Sequence, residues 1–181
     1  VWNIFAGIFY ASFKLPLGFS AKATYSYNYK QNKNELQRKN FNTYTYVSST
    51  DTYRPLAFNL GLRNKLRLET KENFAQFQLN YQKSLGEHAI SALGAFEYAD
   101  AQTQSISVNS VPPNNYIPQI RVEEVNGLID TYERTKRSSI IGRANYDFKG
   151  KYLVEILGRY DGSHLYAPGR RWGLFPGVTA G

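Results

Sequence analysis

Cysteine is absent from the 181 residues, and so is methionine. Without cysteine there is no disulfide framework, no cysteine nucleophile and no thiolate metal site. Histidine occurs only at His88 and His164, and neither stands in an H-E-x-x-H or comparable spacing, so no metal ligand set is expected. No uninterrupted apolar run approaches the roughly 18 residues that a membrane-crossing helix needs, and the mean hydropathy is −0.49. A helical membrane protein is excluded on that ground. A membrane β-barrel is not, because its strands alternate and average to neutral hydropathy. A targeting segment with a basic start and an apolar centre is also missing from the residues that open at Val1. At the other end Phe175–Gly181 reads as a strand just beginning, so the chain is expected to be an internal piece of something longer.

What the chain does carry is aromatic rings and period-two alternation. Fifteen Tyr, eleven Phe and two Trp make up 15% of the residues, which argues against disorder. From Phe19 the odd positions read Phe19, Ala21, Ala23, Tyr25, Tyr27, Tyr29, and the even ones Ser20, Lys22, Thr24, Ser26, Asn28, Lys30. Successive strand side chains point to opposite faces, so one face is apolar and aromatic while the other is polar and charged. The pattern returns over Ala75–Tyr81, Ile90–Tyr98, Ile140–Phe148 and Tyr152–Tyr160, and again over Leu56–Leu62. No segment has a helical period.

Two kinds of connection separate these runs. Leu15-Pro16-Leu17-Gly18, Leu85-Gly86-Glu87-His88 and Lys149-Gly150-Lys151 are short and hold the Gly or Pro that tight turns require. Stretches from Gln31 to Pro55, Asp100 to Arg137 and Asp161 to Arg171 are long and polar, and are expected to be loops. Alternating tight turns and long loops mark a transmembrane β-barrel, with the loops outside. Seven spans then fit, near 4–14, 19–30, 74–84, 88–99, 138–148, 152–161 and from 172 onward. Leu56–Leu68 would spoil their parity if it crossed, and is expected in an extracellular β-extension. The fold class is therefore all-β, a segment of an antiparallel transmembrane barrel. A soluble antiparallel sandwich also gives apolar-in, polar-out strands. Against it stand apolar faces of Gly, Ala and Tyr, aromatics crowded at strand ends, and strands of ten or more residues.

The C-terminal third resembles the SusC/RagA family of TonB-dependent outer-membrane transporters. The residues that carry the resemblance are Gly142-Arg143-Ala144-Asn145-Tyr146-Asp147-Phe148-Lys149-Gly150-Lys151-Tyr152, then Arg159, Asp161-Gly162-Ser163 and Arg171-Trp172-Gly173-Leu174-Phe175-Pro176. A weaker likeness covers Leu79–His88, so the resemblance spans about Phe74 to Gly181. It implies that residues 1–181 are part of a single barrel domain whose plug and remaining strands lie outside this chain. It also implies a SusD-like surface lipoprotein as partner, an inner-membrane TonB complex reached through absent parts, and active import of glycans or peptides across the cell outer membrane.

Barrel physics places charged side chains away from lipid, since a charge at mid-bilayer costs about 2–4 kcal/mol on that face. Lys22, Glu97, Arg143, Glu155 and Arg159 are thus expected to face the lumen, where salt bridges to one another or to a plug compete with lining a substrate path. Lys30, Lys33, Arg38 and Lys39 cluster in an expected extracellular loop, open to solvent or to anionic lipid head groups. Tyr116, held up by Pro112, Pro113 and Pro118, and Trp172, with Phe175 beside it, are expected to contact a partner, substrate or membrane rim. The net charge of +8 is scattered along strands with no nucleic-acid motif, so no nucleic-acid partner is expected. No helix follows Gly158–Gly162 to make a phosphate cradle, and alternation accounts for Asp147, Glu155 and Asp161. No catalytic residue and no cofactor are expected. The rival function is a structural or adhesive β-protein that transports nothing.

Overall fold

A computed structural model describes residues 1–181, almost all of them in strands or tight turns. The strands are Trp2–Lys14 (β1), Phe19–Arg38 (β2), Phe41–Val47 (β3), Thr52–Asn59 (β4), Leu62–Leu85 (β5), His88–Ser110 (β6), Val125–Phe148 (β7), Tyr152–Ser163 (β8) and Trp172–Ala180 (β9). Seven of them form one antiparallel sheet in the order β1-β2-β5-β6-β7-β8-β9, while β3 and β4 pair separately as a hairpin. The large sheet does not close, and β1 and β9 are its edges. Chain order and sheet order coincide apart from the inserted hairpin, so the topology is an up-and-down meander. Leu56–Leu68 does not cross separately: its first part ends β4 and its second part opens β5.

The expected long loops are mostly strand. Residues 31–38 prolong β2, residues 100–110 prolong β6, and residues 125–137 open β7. Lys30, Lys33 and Arg38 therefore belong to a strand and not to a loop. Backbone pairing with a neighbouring strand makes these segments β; no amphipathic alternation is needed. Only 111–124 and 164–171 remain as irregular connections of any length, and even the first closes with a 3-10 turn at Val122–Glu124.

Two compact units divide the chain. One consists of Val1–Ile4, Lys30–Glu69 and Thr103–Tyr132, the other of Phe5–Tyr29, Thr70–Gln102 and Glu133–Gly181. The second unit holds the alternating runs other than Leu56–Leu62, and all three tight turns. At the turn between β7 and β8, Lys149 (φ 60°) and Gly150 (φ 65°) are both left-handed. Such a pair matches the twist of a hairpin, and the turn closes through Lys151 N–H to Phe148 O at 3.1 Å and Gly150 N–H to Asp147 Oδ1 at 2.7 Å.

Register fixes the faces of this unit. Ile156 lies opposite Ala144 on β7 and Val178 on β9, whereas Leu157 lies opposite Arg143 and Gly177. Tyr152, Val154, Ile156, Gly158 and Tyr160 thus share one face with Leu174 and Val178. Glu155, Leu157, Arg159 and Asp161 share the other with Ser139, Arg143 and Phe175. No hydrophobic residue of the chain is buried, and Ile156 and Val178 are 56% and 72% exposed. A sandwich requires its apolar face to be covered by a second layer. Nothing covers it here, and the soluble-sandwich alternative fails on this point. β1 departs from the alternation: it carries Phe5, Phe9 and Phe13 on one parity and Trp2, Ile4 and Ile8 on the other, all exposed.

Candidate functional site

Charges on the ionic face of the second unit are knitted across four strands. Glu97 on β6 accepts from Gln76 Nε2 on β5 at 2.7 Å and lies 3.4 Å from Arg159 Nη2 on β8. Arg159 also donates through Nε to both oxygens of Asp161, at 2.7 and 2.8 Å, and through Nη2 to Ser139 Oγ on β7 at 3.1 Å. Period-two geometry explains the grouping, because positions 139, 159 and 161 sit on one face and Ser139 is directly opposite Asp161. A separate fork joins Arg143 Nε to Glu155 Oε2 at 2.7 Å, with Nη2 on the same oxygen. Lys22 stands apart from both clusters, its Nζ 5.4 Å from the centre of the Tyr10 ring. Four of the five charges expected on this face are thus brought into two ion-pair groups, and Lys22 is not.

Beside Arg159 the face opens into a cleft of about 440 Å³. Ser139, Asp161 and Gly173 line it from the strands, Phe74 and Phe175 supply apolar wall, and the 164–171 turn adds Tyr166, Arg170 and Arg171. Phe175 pairs with Arg159 and belongs to this ionic face, not beside Trp172. Trp172 opens β9 on the opposite, aromatic face and stacks on Tyr160 with ring centres 4.9 Å apart and planes 19° from parallel. The stack needs Gly162, where an added Cβ would come within 2.7–2.8 Å of the indole.

The aromatic face is bounded in register. Going along β6 from Ile90, its last rings are Phe96 and Tyr98, and the next residue of that parity is Asp100. Asp100 is 6% exposed and receives a two-point fork from Arg134 on β7, Nε to Oδ1 at 2.9 Å and Nη2 to Oδ2 at 2.6 Å. The Arg134 guanidinium holds the Asp100 carboxyl below the usual carboxylate range, against the desolvation that raises it. Near the opposite end, His88 contacts Tyr146 Oη through Nδ1 at 2.6 Å and packs near Phe148, which neighbours Tyr152.

In the first unit the surface of interest is the connection 111–124. Its prolines stiffen it, and hydrogen bonds pin it from both sides. Asn115 Oδ1 accepts from Asn40 N–H at 2.6 Å and its Nδ2 donates to Asn40 O at 2.8 Å, while Asn40 Nδ2 reaches Pro112 O at 3.2 Å. Arg63 is 2% exposed and donates to Gln119 O at 2.8 Å, to Asn114 O at 3.3 Å and to Glu124 Oε2 at 3.1 Å. Asn114 Oδ1 caps the tip, taking the N–H groups of Tyr116 and Ile117 at 3.0 and 3.2 Å. Tyr116, at 90% exposure, is left standing free on an anchored loop. Arg63, Asn40 and Glu124 do not stand out in the sequence; the fold brings Arg63 to Glu124 across 61 residues and Asn40 to Asn115 across 75.

No protein-family model matches the chain. Two TonB-dependent receptors of Formosa agariphila are similar to it, one 28% identical over 110 residues and one 32% identical over 115, which is 56% and 61% of this chain. The chain spans 11% of the length of each. Among solved structures, the RagAB peptide transporter superposes with a TM-score of 0.81 at 16% identity, over 99% of this chain and 19% of that one. BauA, the ferric preacinetobactin receptor from Acinetobacter baumannii, superposes with a TM-score of 0.54 at 13% identity, over 99% of this chain and 27% of that one. In sequence the chain is similar to part of TonB-dependent receptors, and its fold is similar to that of a RagA-type barrel segment.

Proposed function

We propose that this chain is a stretch of wall, with its extensions, from an outer-membrane importer that moves glycans or peptides by TonB-dependent active transport. In this reading both units belong to one barrel domain. The aromatic face meets lipid, and Glu97, Arg143, Glu155, Arg159 and Lys22 meet a hydrated lumen. A surface lipoprotein of the SusD type covers the mouth, near the anchored loop that carries Tyr116. The plug and the segment that contacts TonB belong to other parts of the parent.

One observation carries the proposal: an aromatic face with no buried counterpart, which spans most of the roughly 25 Å apolar band of an outer-membrane barrel and is bounded by polar groups. From Tyr152 to Tyr160 is eight residue steps, about 26 Å along the strand and about 20 Å of depth at a tilt near 40°. The apolar runs Ile90–Tyr98 and Ile140–Phe148 have the same length. An apolar face of that height, open to its surroundings, is stable beside acyl chains and unstable beside water. A surface-binding protein that stays in water has no use for it.

The test is uptake by cells that carry or lack the whole receptor. Import of oligosaccharides or peptides that requires the receptor, TonB and an energised inner membrane is the expected result. Uptake that is unchanged without the receptor, or without TonB, overturns the proposal.

A further inference from the structure

The cleft beside Arg159 carries more cationic charge than its neighbourhood uses. Four arginines line it, Arg137, Arg159, Arg170 and Arg171, against two acidic residues, Glu97 and Asp161. Both carboxylates are engaged by Arg159. Arg171 Nε donates to Tyr166 O at 3.1 Å, which orients its side chain without neutralising it. Arg137, Arg170 and Arg171 thus hold three charged forks with no carboxylate paired to them, next to the rings of Phe74 and Phe175. Guanidinium forks match carboxylates in geometry and bind them more strongly than neutral groups. The net surplus of two charges suits one or two single negative charges. A doubly charged phosphate would meet repulsion from Glu97 and Asp161.

We infer that this cleft is a recognition site for a carboxylate-bearing ligand, with Arg137, Arg170 and Arg171 taking the carboxylate oxygens and Phe74 and Phe175 packing on the ligand's apolar part. Its volume lies within the 300–1,000 Å³ or so of small-ligand clefts and admits a short stretch of an oligomer. The inference rests on the import reading only for the source of the ligand, which would be the cargo. An acidic peptide and a uronic-acid glycan both present the required group.

The experiment uses the whole receptor that contains this chain, purified in detergent, and four probes: the tripeptides Glu-Phe-Glu and Gln-Phe-Gln, both N-acetylated and C-amidated so that only the glutamates carry carboxylates, digalacturonate and lactose. Each is titrated against the wild type and against Arg137→Gln/Arg170→Gln/Arg171→Gln at low salt. In at least one pair the acidic member should bind about tenfold more tightly than the neutral one. That preference should vanish in the triple variant and shrink as salt is raised, while neutral-probe affinity stays level. Preference within the tripeptide pair alone assigns a peptide, and within the sugar pair alone an acidic glycan. Equal affinity within both pairs overturns the inference, as does a preference that survives the triple substitution. Matched denaturation midpoints guard against misfolding; should the triple variant fail to fold, Arg170→Gln alone, on the turn outside the strands, should lose about threefold of the preference. No TonB or gradient enters this measurement. A receptor that binds the acid without importing would sink the import reading alone, and one that imports but binds no acid would sink this inference alone.

Discussion

One step along β8 separates Ile156 from Leu157, and the two stand on opposite faces of the sheet. Ile156 sits between Ala144 and Val178 on the aromatic face, Leu157 between Arg143 and Gly177 on the ionic one. Arginine at 156 would place a charge where acyl chains are proposed to lie, at about 2–4 kcal/mol near mid-bilayer. Arginine at 157 would face Arg143, whose charge Glu155 already offsets, and like charges opposite one another cost about 0.2–1 kcal/mol. In the whole receptor, Ile156→Arg should therefore cut the heat-resistant, membrane-assembled fraction severely, and Leu157→Arg should leave most of it. Equal loss from both would refute the face assignment. Asp100 supplies a second residue-level test. Its carboxyl is held below the usual range when folded, so the Arg134 fork contributes stability above about pH 4, the unfolded value, and loses it as pH falls through the lower folded value. Asp100→Asn should lower the urea midpoint at pH 7, and the gap to wild type should close progressively below pH 4. A gap that persists once the Asp100 carboxyl is protonated in the folded protein, as followed by its infrared carbonyl band, would show that the fork matters through shape and not through charge.

At the scale of elements, the anchored connection depends on a buried cation. Arg63 and Glu124 are 2% and 8% exposed, and removing one member of such a pair leaves the other charged and unmatched, typically at about 3–5 kcal/mol. Arg63→Ala should free 111–124 and expose it to limited proteolysis, with cleavage mapped between Val111 and Glu124. Arg63→Met together with Glu124→Met, which removes both charges, should resist the protease better than Arg63→Ala does. The order reversed would mean that the pair does not hold the loop. Elements of this kind were hidden from sequence reading, and the reason is physical. In the alternating strands one face is apolar and the other ionic, so Tyr152, Val154 and Ile156 report their own strand. Gln31–Arg38 and Ala101–Ser107 are polar on both faces, which removes period two, and they read as loops although neighbouring strands pair with them. Glycines and prolines revealed the tight turns at 15–18, 86–87 and 149–151 because backbone conformation selects residue type there. The arginines of the cleft come from β7, β8 and the 164–171 turn. Nothing local distinguishes Arg137 or Arg170 from any solvated cation until the register is known.

As a whole molecule the chain is an open sheet. β1 has a partner on one side only, as has β9, and β1 exposes apolar side chains on both parities. Unpaired edge groups template association with other chains. The isolated 181 residues in buffer without detergent should therefore run as polydisperse aggregate in size-exclusion chromatography. A sharp monomer peak with cooperative unfolding would contradict the reading of these strands as wall. Edge charges could blunt the edge, but β1 holds a single one, Lys14.

That no hydrophobic residue is buried reaches into calorimetry. Ordinary unfolding carries a heat-capacity rise of about 12–15 cal/mol/K per residue, because hydrocarbon leaves a dry interior for water. Here the hydrocarbon never had an interior. In the proposed membrane setting its shelter is the surrounding amphiphile, which stays with the chain when the backbone pairing melts. In thermal melts of the parent in micelles these strands should then add little to the heat-capacity step, so that cold does not weaken this wall as it weakens a water-soluble domain.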